Sequence, residues 1–268
     1  MNTVARINST AAQRTPDIDP SEWEVRVDLA ACYRLVDFFG MTDLHLNHIS
    51  ARVPGSEKHF LINPFGMLYE EITASSLIKI DLAGNIIANA NPEYGVNLAG
   101  FVIHAAIHAA RHDVACVLHT HTNAGMAVSV LKSGLLPLTQ TAMRWPRIAY
   151  HDFEGVVVDL NEQQRLVENL ANCDVMILRN HGLLACGRSI GEAFNNIYRL
   201  ERACQTQLLA LACNAEILLP SQDVIARSNA QLSLSPSPDA KGQQRPHGSI
   251  EWPALKRMLD RRDASYKN

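Results

Sequence analysis

The 268-residue sequence has no apolar run long enough to cross a bilayer. Stretches such as Val114–Leu118 and Leu208–Cys213 stop well short of the roughly 20 residues a spanning helix needs. Residues 1–20 lack the hydrophobic core of a secretory leader, so a cytoplasmic chain with no membrane partner is expected. Basic blocks are missing as well. Lys and Arg total 24 against 27 Asp and Glu, a net charge of −3 with no cluster of either sign, which leaves nucleic-acid phosphates nothing to bind. Six cysteines are scattered through apolar elements with no CxxC pair, the pattern of reduced core residues rather than a disulfide framework.

What is present is a chain that is 47% hydrophobic and 19% charged, enough for one large α/β core with tails and a small-molecule partner. Its organising stretch is Val114-Ala115-Cys116-Val117-Leu118-His119-Thr120-His121, an apolar strand with a polar tip. Side chains alternate along a strand, so His119 and His121 share a side. A second apolar strand, Val175–Leu178, leads to a third imidazole at His181. Histidines at the tips of two strands form a candidate site for Zn²⁺, Fe²⁺, Mn²⁺ or Co²⁺.

Around these strands the pattern predicts a loose arm over 1–20 and a main domain over 21–220. A polar linker over 221–248, rich in Ser, Pro, Gln and Gly towards its end, and a helical tail over 249–268 follow. Helices are expected over 21–39, from Asn97 to about Arg111, over 123–132 and 161–171, and from Ile190 to about Asn214 behind a Ser189/Glu192 capping box. Hairpins are expected from 44–53 with 59–63, and from 77–81 with Ile86-Ile87. Leu135–Leu138 should lead into a strand, 147–150 and 156–158 should be extended, and Leu183–Cys186 should pair with the His181 strand. The last helix, Ile250–Arg262, could dock on another subunit or cover a site. Gly100, His104 and His108 fall on one face of the helix before the HxH strand. His104 is therefore a fourth candidate ligand, or a group that orients one, whereas His108 and His112 read as surface or boundary residues.

Several of these motifs, in this order, resemble the class II aldolase/adducin family: Asn47-His48-Ile49-Ser50-Ala51-Arg52, Asn63-Pro64-Phe65-Gly66, Thr73-Ala74-Ser75-Ser76, Val117–His121, Ala149-Tyr150-His151-Asp152 and Leu178–Leu183. The resemblance spans roughly 22–215. It implies a three-layer α/β/α domain around a mainly antiparallel sheet, a homotetramer with sites at subunit interfaces, and a divalent metal, commonly zinc, on His119, His121 and His181. It also marks departures. The family's sugar-phosphate aldolases carry an acid/base glutamate where this chain has Gly100, which has no group to move a proton. Their phosphate-binding pairs fall at Asn47-His48, Phe65-Gly66 and Leu98-Ala99, and their proton-donating tyrosine near Thr141. In these departures the chain is similar to the adducin head, a cytoskeletal scaffolding module.

The function expected first is therefore a metal-dependent lyase, cleaving a carbon–carbon bond or decarboxylating a small, non-phosphorylated oxo or hydroxy acid. His48 and Tyr150 are candidates for proton transfer and Arg52 for a carboxylate clamp. One alternative is a mononuclear non-haem iron oxygenase, for which an apolar pocket edged by Phe65, Leu98 and Met143 would suit an aromatic substrate. The other is a non-catalytic assembly domain of the adducin-head kind.

Overall fold

A computed structural model describes residues 18–155, 160–233 and 241–268. Helix α1 (Pro20–Phe38) opens behind Asp19, whose carboxylate accepts from the Ser21 amide, and stops at Gly40 in the left-handed region (φ +64°), as the sequence predicts. Strands β1 (His48–Arg52) and β2 (His59–Ile62) form the first hairpin, and β3 (Ile78–Asp81) and β4 (Ile86–Ala88) the second. Helix α2 (Leu98–Ala110) leads into β5 (Cys116–Thr120), which is followed by α3 (Asn123–Ser129), β6 (Ala149–His151) and α4 (Leu160–Leu170). Then come β7 (Val175–Leu178), β8 (Gly182–Gly187), α5 (Ile190–Ala212), α6 (Gln222–Leu232) and α7 (Glu251–Arg262).

Among the described residues eight strands make one sheet, in the order β4-β3-β2-β1-β5-β8-β7-β6. Every neighbouring pair is antiparallel except β6 with β7. One face packs Leu118, Ile177, Leu183 and Ala185 against residues of α1, α3 and α5. The other packs Val117, Met176 and Leu184 against α2 and α4. The result is the expected three-layer α/β/α domain, with strand alternation deciding which layer each side chain enters.

Four local expectations come out differently. Leu135–Leu138 does not lead directly into a strand; the chain passes through a short 3₁₀ turn at Ala142–Arg144 before β6. The stretch read as a polar linker carries α6, because Ser221 caps the Val224 amide and starts a helix that composition alone concealed. At Ser189 the hydroxyl does accept from the Glu192 amide, but the Glu192 carboxylate reaches back to the Arg188 amide, one residue before a standard capping box. Helix α7 docks on its own chain: Trp252 Nε1 donates to Asp28 at 3.1 Å, Lys256 pairs with the same carboxylate, and the Trp252 ring lies 6.0 Å from Phe194. The strand expected over 156–158 and most of the arm over 1–20 lie outside the described residues.

Candidate metal centre

The two central strands bring the candidate residues together. β1 and β5 pair in a register that sets His48 directly opposite His119, and β5 pairs with β8 so that Thr120 faces Leu183. His121 follows β5 at its end. His181 sits in the tight turn between β7 and β8, where Asn180 takes a left-handed conformation (φ +55°) and the His181 amide donates to the Leu178 carbonyl. Gly182 completes that turn because a Cβ there would meet the Thr120 carbonyl at 2.4 Å.

His119, His121 and His181 offer nitrogens that all lie within 4.8 Å of one another. Nε2 of His121 stands 2.7 Å from Nε2 of His119 and 3.0 Å from Nε2 of His181. The partners on the far sides of two rings assign where their protons are. His119 Nδ1 lies 2.9 Å from the Leu183 carbonyl and His121 Nδ1 lies 3.0 Å from Asp43 Oδ2, and only an N–H can satisfy either oxygen. Both Nε2 atoms then carry bare lone pairs that face each other. Such an arrangement needs a cation or a shared proton between them. Burial opposes the proton: it holds the His119 imidazole well below its ordinary pKa, aided by His181, His121 and His48, and takes His181 down to about 4, aided by His121. Three tetrahedral zinc ligands at about 2.0–2.1 Å stand roughly 3.3 Å apart, close to the separations seen. The donor set therefore fits a divalent metal, with positions left for water or substrate oxygens.

The other candidates separate into those beside the cluster and those elsewhere. The His48 ring lies 5.1 Å from the His119 ring, and its Nδ1 is 2.8 Å from His104 Nε2. His104 is not one of the clustered ligands; both its ring nitrogens are used, the second by Ser50 Oγ at 2.5 Å. His108, expected near the surface, is fully buried and bonds the same hydroxyl at 2.8 Å. Arg52 spends its guanidinium on backbone carbonyls of Glu57, His108, Val114 and Arg111, four strand residues from His48, where it closes the C-terminal end of α2 rather than clamping a substrate. The Tyr150 hydroxyl accepts from the Leu135 amide at 3.0 Å, and Arg179 lies 4.2 Å above its ring, so the tyrosine is engaged in packing the loop at Gly134. Gly100 carries more meaning than a missing side chain, because a Cβ built there would lie 2.4 Å from His48 Cδ2.

Two features escaped the sequence. Asp43, 78 residues before its partner, had no motif to mark it; its loop is fixed by the Asp43 amide donating to Asn47 Oδ1 at 2.6 Å and by Leu44 in the left-handed region. Phe153, half-exposed, stands 6.1 Å from the His181 ring and edges the small pocket that also holds Arg179, Asp152 and Leu178.

A family model for the class II aldolase and adducin N-terminal domain matches residues 27–208. The chain belongs to the class II aldolase/adducin family. A protein of Pseudomonas aeruginosa provisionally named an aldolase class 2 protein is 44% identical over 263 residues, covering 97% of this chain and 98% of its own. Alpha-adducin of Rattus norvegicus is 42% identical over 267 residues, covering 96% of this chain but 36% of the adducin, so the family domain here matches only a part of that longer protein. A crystal structure of an aldolase II superfamily protein from Pseudomonas syringae superposes with a TM-score of 0.88 at 47% identity, over 94% of this chain and 98% of that one. Among the described residues no helix is long and apolar enough to cross a membrane.

Proposed function

We propose that the chain is a divalent-metal-dependent lyase acting on a small, non-phosphorylated oxo or hydroxy acid, with zinc held by His119, His121 and His181. The observation that carries this reading is the convergence of three Nε2 atoms, two of them on rings whose Nδ1–H is already committed to Leu183 and Asp43. Rings fixed in that way are arranged to coordinate rather than to donate. A bound divalent cation polarises a carbonyl and offsets negative charge that develops next to it.

The chain's own residues do the rest. Leu183 and Asp43 orient the ligand rings, Phe153 supplies an apolar edge beside His181, and His48 fills the space over Gly100 where a larger residue would have reached the site. The absence of a carboxylate at position 100 and the bulk at Asn47-His48 and Leu98-Ala99 favour a small acid over a sugar phosphate. The exposed apolar side chains Leu44, Leu46 and Leu98, which flank Asp43, His48 and Gly100 in sequence, support a homotetramer with these sites at its interfaces.

The 42% identity to alpha-adducin supports a second reading, a non-catalytic assembly domain in the cytoplasm. Metal analysis of protein purified without added metal or chelator separates the two. One zinc per chain with anaerobic turnover of a small oxo or hydroxy acid is expected. Iron with oxygen uptake would move the assignment to an oxygenase, and no stoichiometric metal would leave the assembly role.

A further inference from the structure

Beside the histidine cluster, on the same face of the sheet, the chain buries a further imidazole opposite a carboxylate. His151 ends β6 two residues after Ala149, and His119 follows Val117 by two on β5, so alternation sends both rings into the layer that holds Ala149 and Val117. Glu162 enters the same layer from α4, one turn before Leu166. His151 and Glu162 are each only 4% exposed. Both line the small cavity that Ile103, Leu178 and His181 also wall. Arg179 lines it too, but its guanidinium is committed elsewhere, to the Leu131 carbonyl at 2.7 Å and the face of Tyr150.

His151 Nε2 and Glu162 Oε1 stand 3.7 Å apart, beyond the roughly 3.2 Å reach of an N–H···O bond, and the buried Nε2 has no other hydrogen-bond partner among the described residues. Across the ring, Asn169 Nδ2 lies 2.9 Å from Nδ1. An amide NH₂ only donates, so Nδ1 accepts and Nε2 carries the ring hydrogen, the form that the carboxylate opposite also favours. A buried donor and a buried acceptor thus face each other across a gap too wide to close directly. One oxygen about 2.8–3.0 Å from each would satisfy both, accepting from His151 and donating to Glu162. The cavity suits that guest. Its free space is about 10 Å³, on the order of what one water or hydroxyl needs. A carboxylate oxygen would face Glu162 as acceptor to acceptor, an ammonium would face Nε2–H as donor to donor, and a methyl would satisfy neither.

We propose that the gap between His151 and Glu162 is a hydroxyl slot, which receives a hydroxyl of the substrate other than the oxygens held at the three-histidine cluster. The inference rests on the metal-dependent reading above and narrows its substrate class to acids with a second, distal hydroxyl. His181 is the link between the two places, since its Nε2 belongs to the cluster and its side chain walls the cavity. A resident water has the same hydrogen-bonding chemistry as the substrate hydroxyl, and matched ligands separate the two sources.

Calorimetric titration of the zinc-loaded protein with two pairs of acids reads the slot: lactate against glycerate, and 2-hydroxybutanoate against 2,4-dihydroxybutanoate, each as both enantiomers. Within a pair the acids differ by one terminal hydroxyl. The wild type should bind at least one dihydroxy acid about tenfold or more tighter than its parent. In Glu162→Leu that preference should fall below about threefold at unchanged zinc content and unchanged affinity for the parent acid, whereas Glu162→Gln, whose amide oxygen still accepts, should keep it. If Glu162→Leu loses its zinc, His151→Phe carries the same expectation. Equal affinity within both pairs in the wild type, a comparison that needs no variant, would mean that the slot holds water only and overturns this inference alone. A preference that survives the loss of the slot's polar groups overturns it as well. A wild type that binds zinc but none of the four acids overturns the small-acid reading with it.

Discussion

Asp43 Oδ2 accepts the Nδ1–H of His121 at 3.0 Å, across the solvent-facing side of the histidine cluster. The carboxylate fixes the tautomer that turns Nε2 inward and holds the ring in that orientation. Partners of this kind typically contribute 10–100-fold to metal affinity. Asp43→Ala should therefore lower zinc affinity by about that factor, measured by competition with a chromogenic chelator, with little change in the folded content by circular dichroism. Unchanged affinity would mean that the contact is incidental.

Metal should also be visible as stability. A ligand that binds only the folded chain adds about 2.7 kcal/mol when present at 100 times its Kd. Chelation should lower the melting temperature of the wild type, and added zinc should restore it. In His181→Gln, which removes one corner of the cluster, the melting temperature should hardly respond to either treatment.

Gly100→Ala provides a test whose sign is informative. In an ordinary helix this exchange stabilises by about 0.5–1 kcal/mol. Here the new methyl would meet His48 at 2.4 Å, so overpacking of about 1–3 kcal/mol should dominate and urea unfolding should show a net loss. Combining it with His48→Ala should recover much of that loss, since the two residues compete for one volume.

Acid should unfold the protein from below neutrality. Burial takes His108 down to about 3, with Arg52 adding to the shift, and holds His48 and His104 well below the ordinary histidine value. Between about pH 6.5 and 3 the unfolded chain binds protons that the native chain refuses, so stability rises with pH across that window, by about 1.4 kcal/mol per unit for each such histidine. Replacing His108 with Leu should reduce that slope by about one proton, read from denaturant midpoints at pH 5 and 7.

A second acid-labile element joins α1 to β3. Buried Glu22 pairs with Arg26 at 2.9 Å and Lys79 at 2.7 Å. Burial opposes its ionisation, but those two partners outweigh burial and hold the carboxyl below its ordinary value. Its contribution is present above the unfolded pKa and is lost as pH falls through the native one. Glu22→Ala, which leaves Arg26 buried beside the Ala74 and Leu77 carbonyls without its anion, should cost about 3–5 kcal/mol at pH 7.

Local rules carried the reading a long way. Strand alternation in Val117–His121 placed both histidines on one side, and the apolar run ending at Leu178 placed His181 at a tip; the fold then brought those tips together. What composition and spacing could not reveal were contacts set by pairing of distant segments. The β1–β5 register makes His48 and Ser50 face α2, which turned His108 from an expected surface residue into a buried one and drew His104 away from the cluster. Arg52 and Tyr150 looked chemically apt, yet carbonyls at the end of α2 and the Leu135 amide claim them. Asp43 escaped because nothing local distinguishes a carboxylate whose partner lies 78 residues away.

The sheet order has one consequence for how such a site would behave. β1, β5 and β8 occupy the fourth, fifth and sixth places among eight strands, hydrogen-bonded on both sides. Amide groups there exchange with solvent only when the ladder itself opens, so deuterium uptake at Leu118 and Leu184 should be slow whether or not an ion is bound. Guests can come and go at the rim while the scaffold underneath keeps time independently of them.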